Sequence, residues 1–531
     1  MKQRTTYIVC NPDEFNPDKL HVFDDSFSLV SVDAAKEHRL TFSLSELPQE
    51  LYRVLRQCHE LHIRWASEQP YSTIPPFVSH ISPGLHAFFT PQKDRSPELL
   101  CPSLKKIFGD NLECESPKET FVNMPILSER FSSSSTSQYY QLLPSLDDLV
   151  TYIQQSLCPK SNSKCQQQAS TLGSATYVDF DYDTISHALI LNAFWAREPS
   201  EGSWTESISL QKEGDTIEVG VLTSEKAVDK EDLAFSGFLT VVGEDSKPST
   251  SNHSCWTAFL LTDSPLAEPT RFQFPSRHHP LPQSTSSTPL IYTTSFKQPT
   301  GLHPSLALTF PASSLTPPDE TCALHTYLTL PSFLFIDKYQ LSDPLFLASL
   351  NLVFLRSISG ATDLEAPDWV ISQWGSAALL ELAIPPQHNG TPQSGDWEVS
   401  IPLHLRYLPP NHNKSGLESS TAPWPVVFWA CRAEEGSKMA VNPFDRVNLG
   451  YDGLFGPKTM FYHVPPTDVG GLVERIEVPV LDLDRAGYVE WGTVVAVVLG
   501  VAWVCWRLGV VVWRDYKEGA TGVEKEAKKK Q

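Results

Sequence analysis

The chain has 531 residues, 41% of them hydrophobic, and a formal charge of −21 at neutral pH. That balance supplies two or three ordinary cores, holds too little apolar sequence for a polytopic membrane enzyme, and offers no basic surface for nucleic acid. Proline accounts for 43 residues, about 8% against a usual 5%, which disfavours long helices and suits a loop-rich β body.

From the N-terminus, MKQRTTYIVCNPDEFNPDKL lacks the apolar run of a cleavable signal peptide, so translocation is expected to depend on a later segment. LTFSLSEL, ELHIRW, ATYVDFDY, SISLQKEGDTIEVGVLT and SGFLTVVGE then show short alternating or apolar runs between turn residues and read as strands. One helix is expected where Ser145 caps a run with Leu146, Leu149, Val150, Ile153 and Leu157 on one face. FSSSSTSQ, SNSKCQQQAST and the Pro/Ser/His-rich stretch Pro275–Thr300 read as unstructured. The last divides a β-rich N-terminal domain with some helix, 1–274, from a second β-domain, 301–472, with 275–300 as linker.

The second domain has clear strand periodicity. In CALHTYLTLP, Leu324, Thr326, Leu328 and Leu330 share one face, with His325 and Tyr327 on the other. In WEVSIPLHLRY, Val399, Ile401, Leu403, Leu405 and Tyr407 alternate with Ser400, His404 and Arg406. SAALLELAIP precedes this strand across a loop containing Asn389, and PVVFWACR follows across one containing Asn413. An antiparallel meander, apolar on one side and polar on the other, is the expected arrangement, and a β-sandwich the expected fold.

A stalk, 473–491, leads to an apolar segment, Gly492–Trp513, whose only charge is Arg507. Its 22 residues make a helix of roughly 33 Å, matching a hydrocarbon core of ~30 Å. Arg507 is near enough to the end to snorkel, and Trp491 and Trp513 flank the span. Gly492, Ala496 and Gly500 form a small-residue ladder suited to close helix packing. The tail, 514–531, carries Arg514, Lys517, Lys525, Lys528, Lys529 and Lys530, while the stalk is acidic. The positive-inside bias therefore places the tail in the cytosol and the body in the lumen. Lys528 and Lys529, fourth and third from the end, match a dilysine retrieval signal for the endoplasmic reticulum. Sequons at Asn252, Asn389 and Asn413 agree with a luminal body. Nine cysteines precede the span, an odd number that leaves at least one thiol unpaired unless it bridges to a partner.

The blocks HPSLALTF (303–310), CALHTYLTLPSFLFIDKYQL (322–341), DLEAPDW (363–369), IPLHLRYLPP (401–410), PVVFWACR (425–432) and NPFDRVNLGYDGLFG (442–456), followed by one span, resemble the PIG-X/fungal Pbn family. The long N-terminal extension resembles the fungal branch. The resemblance implies a non-catalytic accessory subunit of glycosylphosphatidylinositol (GPI) mannosyltransferase I. Such a subunit stabilises a multispan catalytic partner of the PIG-M type, which moves mannose from dolichol-phosphate-mannose to the glucosaminyl-phosphatidylinositol precursor.

Several constellations point instead toward chemistry. Asp179, Asp181 and Asp183 in VDFDYD have the DxD spacing with which nucleotide-sugar transferases hold a divalent metal, but no nucleotide-binding βαβ pattern surrounds them, and a solvated strand face looks the same. Asp363 and Glu365 could form an acid–base pair, yet they precede Pro367 in a turn. His303, His325, His404 and Cys431 are far apart in sequence, and Arg406 beside His404 would disfavour a metal. A Cys431–His404 nucleophile pair lacks an oxyanion element. In an oxidising lumen Cys431 is instead expected to bridge, with Cys322 the candidate because both lie on strands of one domain. No Gly-rich phosphate loop, HExxH or GxSxG occurs. The expected protein is thus mainly β: two luminal sandwich-like domains, one C-terminal transmembrane helix and a short cytosolic tail, with no catalytic residue, cofactor or metal. The alternatives are a general luminal folding factor for several clients, or a luminal hydrolase or transferase.

Overall fold

Runs such as ALILNAFW and ELHIRWA place large side chains on both faces of a strand, which is the pattern of a strand covered on both sides. They lie in the middle of an eleven-stranded sheet in the computed structural model, which describes residues 2–11, 15–23, 26–92, 97–128, 130–131, 134–158, 161–200, 202–209, 217–242, 270–282, 289–386, 395–412, 416–433, 442–445, 448–468 and 470–529. From edge to edge the strands are Thr270–Pro275, Asp232–Val242, Ile217–Glu225, Lys2–Val9, Ala34–Ser43, Ala188–Trp195, Tyr177–Asp183, Cys58–Ala66, Gly84–Pro91, Ser135–Gln141 and Val122–Leu127. Lys2–Val9 runs parallel to Ile217–Glu225, and the other pairings are antiparallel. Helix Leu100–Phe108 buries Leu100, Cys101, Leu104 and Phe108, and Phe108 meets Phe180 of the sheet edge-on at 5.9 Å. A Cys101–Cys114 disulfide closes the segment behind that helix.

The later strands form a six-stranded sheet in the order His278–Pro280, Thr459–His463, Val426–Arg432, Ala323–Pro331, Gly375–Leu382 and Leu352–Gly360. A three-stranded sheet, Thr293–Phe296, Ser305–Pro311 and Asp396–Pro402, completes the sandwich-like architecture. One continuous core takes in Tyr7, Phe89 and Phe194 from the first part of the chain and Tyr327, Phe428, Tyr451 and Phe461 from the second. The chain divides into two compact units, 1–406 with 419–476, and 407–418 with 477–531. In the second unit, Leu408 pairs in parallel with Val480, Asp482 accepts a hydrogen bond from the Asp484 amide, and helix Ala486–Lys529 follows. Most of the stretch Leu483–Asp515 lies in this helix, and among the described residues it is the one long and apolar enough to cross a membrane (mean hydropathy 2.2, none of it buried).

Several expectations are corrected. There is no meander: SAALLELAIP and PVVFWACR belong to the six-stranded sheet, whereas WEVSIP pairs with Ser305–Pro311. Ala323–Pro331 is buried on both faces, because it lies between two other strands and under the first part of the chain. At the end of WEVSIPLHLRY the alternation inverts: Arg406 is buried and Tyr407 is exposed. SNSKCQQQAST holds a helix, Ser163–Thr171, started by the Asn162 side chain accepting from the Cys165 amide and tied by a Cys158–Cys165 disulfide. FSSSSTSQ runs into strand Ser135–Gln141, and Pro275–Thr300 contributes strands His278–Pro280 and Thr293–Phe296. The helix expected at Ser145 spans Asp147–Tyr152 and continues as a π-turn to an exposed Leu157; Ser145 bonds the Asp147 side chain instead of capping a backbone amide.

Candidate functional site

Strands Cys58–Ala66 and Tyr177–Asp183 pair in register, with Arg64 opposite Asp179, His62 opposite Asp181 and Glu60 opposite Asp183. Directly opposed residues share a face, so the acidic strand meets a basic one. Arg64, 1% exposed, grips Asp179 bidentately, Nε to Oδ1 at 2.6 Å and Nη2 to Oδ2 at 2.7 Å. Its Nη2 also reaches Asp445 at 3.2 Å, its Nη1 donates to Ser79 at 2.9 Å, and its guanidinium lies 4.3 Å from the Tyr177 ring. Asp445 in turn accepts from the Ser79 amide at 3.1 Å and from the Ser79 hydroxyl.

The expectation of a solvated acidic face is therefore wrong at Asp179, because a segment more than two hundred residues downstream covers it. That cover is the NPFD stretch. Asn442 donates to the Pro76 carbonyl at 2.5 Å, Arg39 donates to the carbonyls of Pro443 and Phe444 at 3.0 and 2.6 Å, and Phe444 packs edge-on against Phe77. Burial pushes the Asp179 carboxyl above its ordinary range, although Arg64 opposes this. For Arg64, burial works against the charge, but Asp179 and Asp445 outweigh it and hold the pKa well above its ordinary value. Both Asp179 oxygens are engaged by the guanidinium, so its charge is already balanced by a buried internal cation. Asp183 is committed too: it accepts from the amides of Ile185 and Ser186 at 2.7 Å each and pairs with Arg130. Asp181 stands 3.9 Å from the His62 ring.

Beside this ion network lies a histidine cluster. His278 Nδ1 and His463 Nε2 are 2.9 Å apart, His80 is 5.6 Å from His463 between ring centres, and His278 Nε2 is 4.0 Å from Asp452. Burial, followed by Arg277 and the neighbouring imidazoles, pushes His278 well below the usual histidine range, and burial followed by the imidazoles alone does the same to His463. Neutral, packed rings in this position are structural, joining strands His278–Pro280 and Thr459–His463.

The other candidates separate. Asp363 accepts from the Glu365 amide at 2.9 Å, and Arg406 clamps the same turn by donating to the carbonyls of Asp363 and Ala366 while stacking 3.9 Å from the Phe335 ring. The two exposed carboxylates decorate a braced turn. Of the four imagined metal ligands, His303 and His404 meet, with their Nδ1 atoms 3.1 Å apart. His325 is buried elsewhere, bonded to the Ala323 carbonyl and 3.8 Å from Glu381. Cys322 and Cys431 form a disulfide, S–S 2.01 Å, so Cys431 is not a thiol nucleophile, and the nearby Asp319 carboxylate has no thiolate with which to share a metal. A small gap in the sandwich is lined by Phe296, Leu306, Leu328, Leu330, Leu403 and one carboxylate, Glu474. A lone acid in an apolar gap lacks the second carboxylate of a hydrolytic pair.

Gly492, Ala496 and Gly500 recur at four-residue spacing on the terminal helix, and a Cβ at either glycine would meet nothing within 4 Å. Arg507 lies 5.9 Å from the Trp503 ring. Lys528 and Lys529 close the helix backbone, while Asn252, Asn389 and Asn413 lie outside the described residues. Arg64, Ser79 and Asp445 were not singled out from the sequence. The available signal was a lone arginine at an inward position of ELHIRW, facing an acidic strand with the same period.

A family model described as PIG-X / PBN1 matches residues 299–509. The protein named pbn1 of Aspergillus oryzae is 49% identical over 537 residues, covering 97% of each chain. That of Emericella nidulans is 48% identical over 96% of each, and that of Neurospora crassa 41% identical over 97% of each. The likeness thus includes both the strands that carry Arg64 and Asp179 and the segment that carries Asp445.

Proposed function

The chain belongs to the PIG-X/PBN1 family, and from that premise we propose that it is the accessory, non-catalytic subunit of GPI mannosyltransferase I in GPI-anchor biosynthesis. It stabilises the PIG-M-type catalytic subunit that adds the first mannose to glucosaminyl-phosphatidylinositol. The observation that carries this reading is end-to-end identity with pbn1 relatives. The fate of the carboxylates supports it: Asp179 and Asp183 are used up in internal ion pairs, and Asp363 and Glu365 sit on a clamped turn. The one apolar helix of spanning length among the described residues also supplies too few walls for a cleft that takes a donor from the bilayer.

In this reading the body lies in the lumen of the endoplasmic reticulum and carries glycans at one or more of Asn252, Asn389 and Asn413. The tail lies in the cytosol, where Lys528 and Lys529 return escaped chains. The Gly492–Ala496–Gly500 face packs on a helix of the catalytic subunit. Affinity purification of the full chain from membranes in mild detergent tests the assignment. A multispan mannosyltransferase should co-purify in stoichiometric amount, and depletion of the chain should lower that partner's steady-state level, since unassembled multispan subunits are cleared. Recovery of many unrelated luminal clients in place of one membrane partner would instead favour a folding factor.

A further inference from the structure

His303 and His404 are placed by the backbone. The Leu405 amide donates to the Leu302 carbonyl at 3.0 Å and the Leu403 amide to the Pro304 carbonyl at 2.8 Å. The two segments therefore run antiparallel with 302 opposite 405 and 304 opposite 403, which leaves His303 and His404 directly opposed at a non-hydrogen-bonded position. This is the register in which cross-strand side chains come closest. On its other side His404 is paired with Phe335, whose ring stacks 5.2 Å from the imidazole and fixes its plane. The two imidazoles stand at 86° with their Nδ1 atoms 3.1 Å apart, His303 exposed and His404 half-buried.

Two nitrogens at that distance can share one proton. They can equally share one metal ion, since imidazole ligands about 2.0–2.1 Å from zinc and about 100–110° apart are separated by about 3.1–3.4 Å. We propose that His303 Nδ1 and His404 Nδ1 form a solvent-open, two-histidine binding site for a divalent transition metal of the zinc class, with water completing the coordination. A pair of imidazoles suits zinc, copper or nickel. Arg406, which the sequence suggested would repel a cation, is tied to the carbonyls of Ser332, Asp363 and Ala366. A metal here would cross-link the chain entering strand Ser305–Pro311 to strand His404–Leu405. The inference does not depend on the accessory role proposed above.

The test uses the full chain in detergent, purified through a tag without histidine, stripped with chelator and titrated with Zn²⁺ at pH 7.4. One equivalent should bind saturably and raise the unfolding temperature. His303→Ala, at an exposed position where the fold is undisturbed, should weaken binding at least tenfold and abolish that rise, and His404→Asn should do the same. His412→Ala, at an exposed imidazole in the other unit, should leave binding unchanged. Absence of a saturable equivalent, or binding by His303→Ala as tight as that of the unaltered chain, would overturn the assignment.

Discussion

Replacing Arg64 by alanine removes four hydrogen bonds, two to Asp179, one to Asp445 and one to Ser79. Asp445 retains the amide and hydroxyl of Ser79, but Asp179 loses both guanidinium contacts while staying 2% exposed. An unpaired carboxylate at that depth takes up a proton. Holding a group of ordinary pKa near 3.9 protonated at pH 7 costs about 3 units, or roughly 4 kcal/mol, within the 3–5 kcal/mol expected for a broken buried ion pair. The sign follows from linkage. In the variant the folded pKa of Asp179 is raised above the unfolded value, so the destabilisation is largest at high pH and shrinks as pH falls. At pH 5 about 1.5 kcal/mol should remain. Asp179→Asn in the same chain should recover most of the loss. Urea unfolding of the purified chain, followed by tryptophan fluorescence at pH 7 and pH 5, measures both. A loss below about 1 kcal/mol, or one equal at the two pH values, would refute the view that this ion network fastens the NPFD segment to the sheet.

Further outcomes follow from the same structure. Cys322→Ser or Cys431→Ser opens a disulfide spanning 109 residues, for which loop entropy alone gives about 4–5 kcal/mol; non-reducing proteolysis should show a chain that is cut readily, and unchanged resistance would count against the bridge. His80 and His86, pushed down to about 3 by burial, are neutral when folded and charged when unfolded below pH 6.5. Stability present above that pH should therefore fall on acidification, each ring costing about 2 kcal/mol at pH 5, so the unfolding temperature should drop between pH 6.5 and pH 5. A flat profile would show that these rings are not sealed from water. Serine at Lys528 and Lys529 should let the chain reach later compartments, read as Golgi-type trimming of its glycans; unaltered glycans would mean that partner binding retains it.

How much of this was legible beforehand differs by element. The terminal helix was plain, because an unbroken apolar stretch from Gly492 to Trp513 has one solution in water and another in a bilayer. Strand type was readable in CALHTYLTLP and WEVSIP, since alternation is local, but partners were not. Neighbouring strands often pair, yet here the connection through Asn389 carries the chain from one sheet to another. Period two put Asp179 and Asp183 on a common face without revealing what covers it. The covering residues, Asn442–Asp445, arrive more than 250 positions later. The Ser163–Thr171 helix escaped notice because its polar sequence has almost no apolar face; a cap and a short disulfide hold it. The His303–His404 contact was hidden for a similar reason, as a cross-strand register is a property of two segments together.

The central claim is that the chain supports a catalyst without performing the chemistry. The most direct measurement is mannose transfer to the GPI precursor in membranes, divided by the abundance of the catalytic subunit. Alanine at Asp181, Asp363 or Glu365 should leave that ratio unchanged, and alanine at Asp179 or Leu403 should lower catalyst abundance and total transfer together, again with the ratio intact. Any carboxylate variant with normal catalyst abundance and a hundredfold lower ratio would contradict the account and make this chain part of the active site.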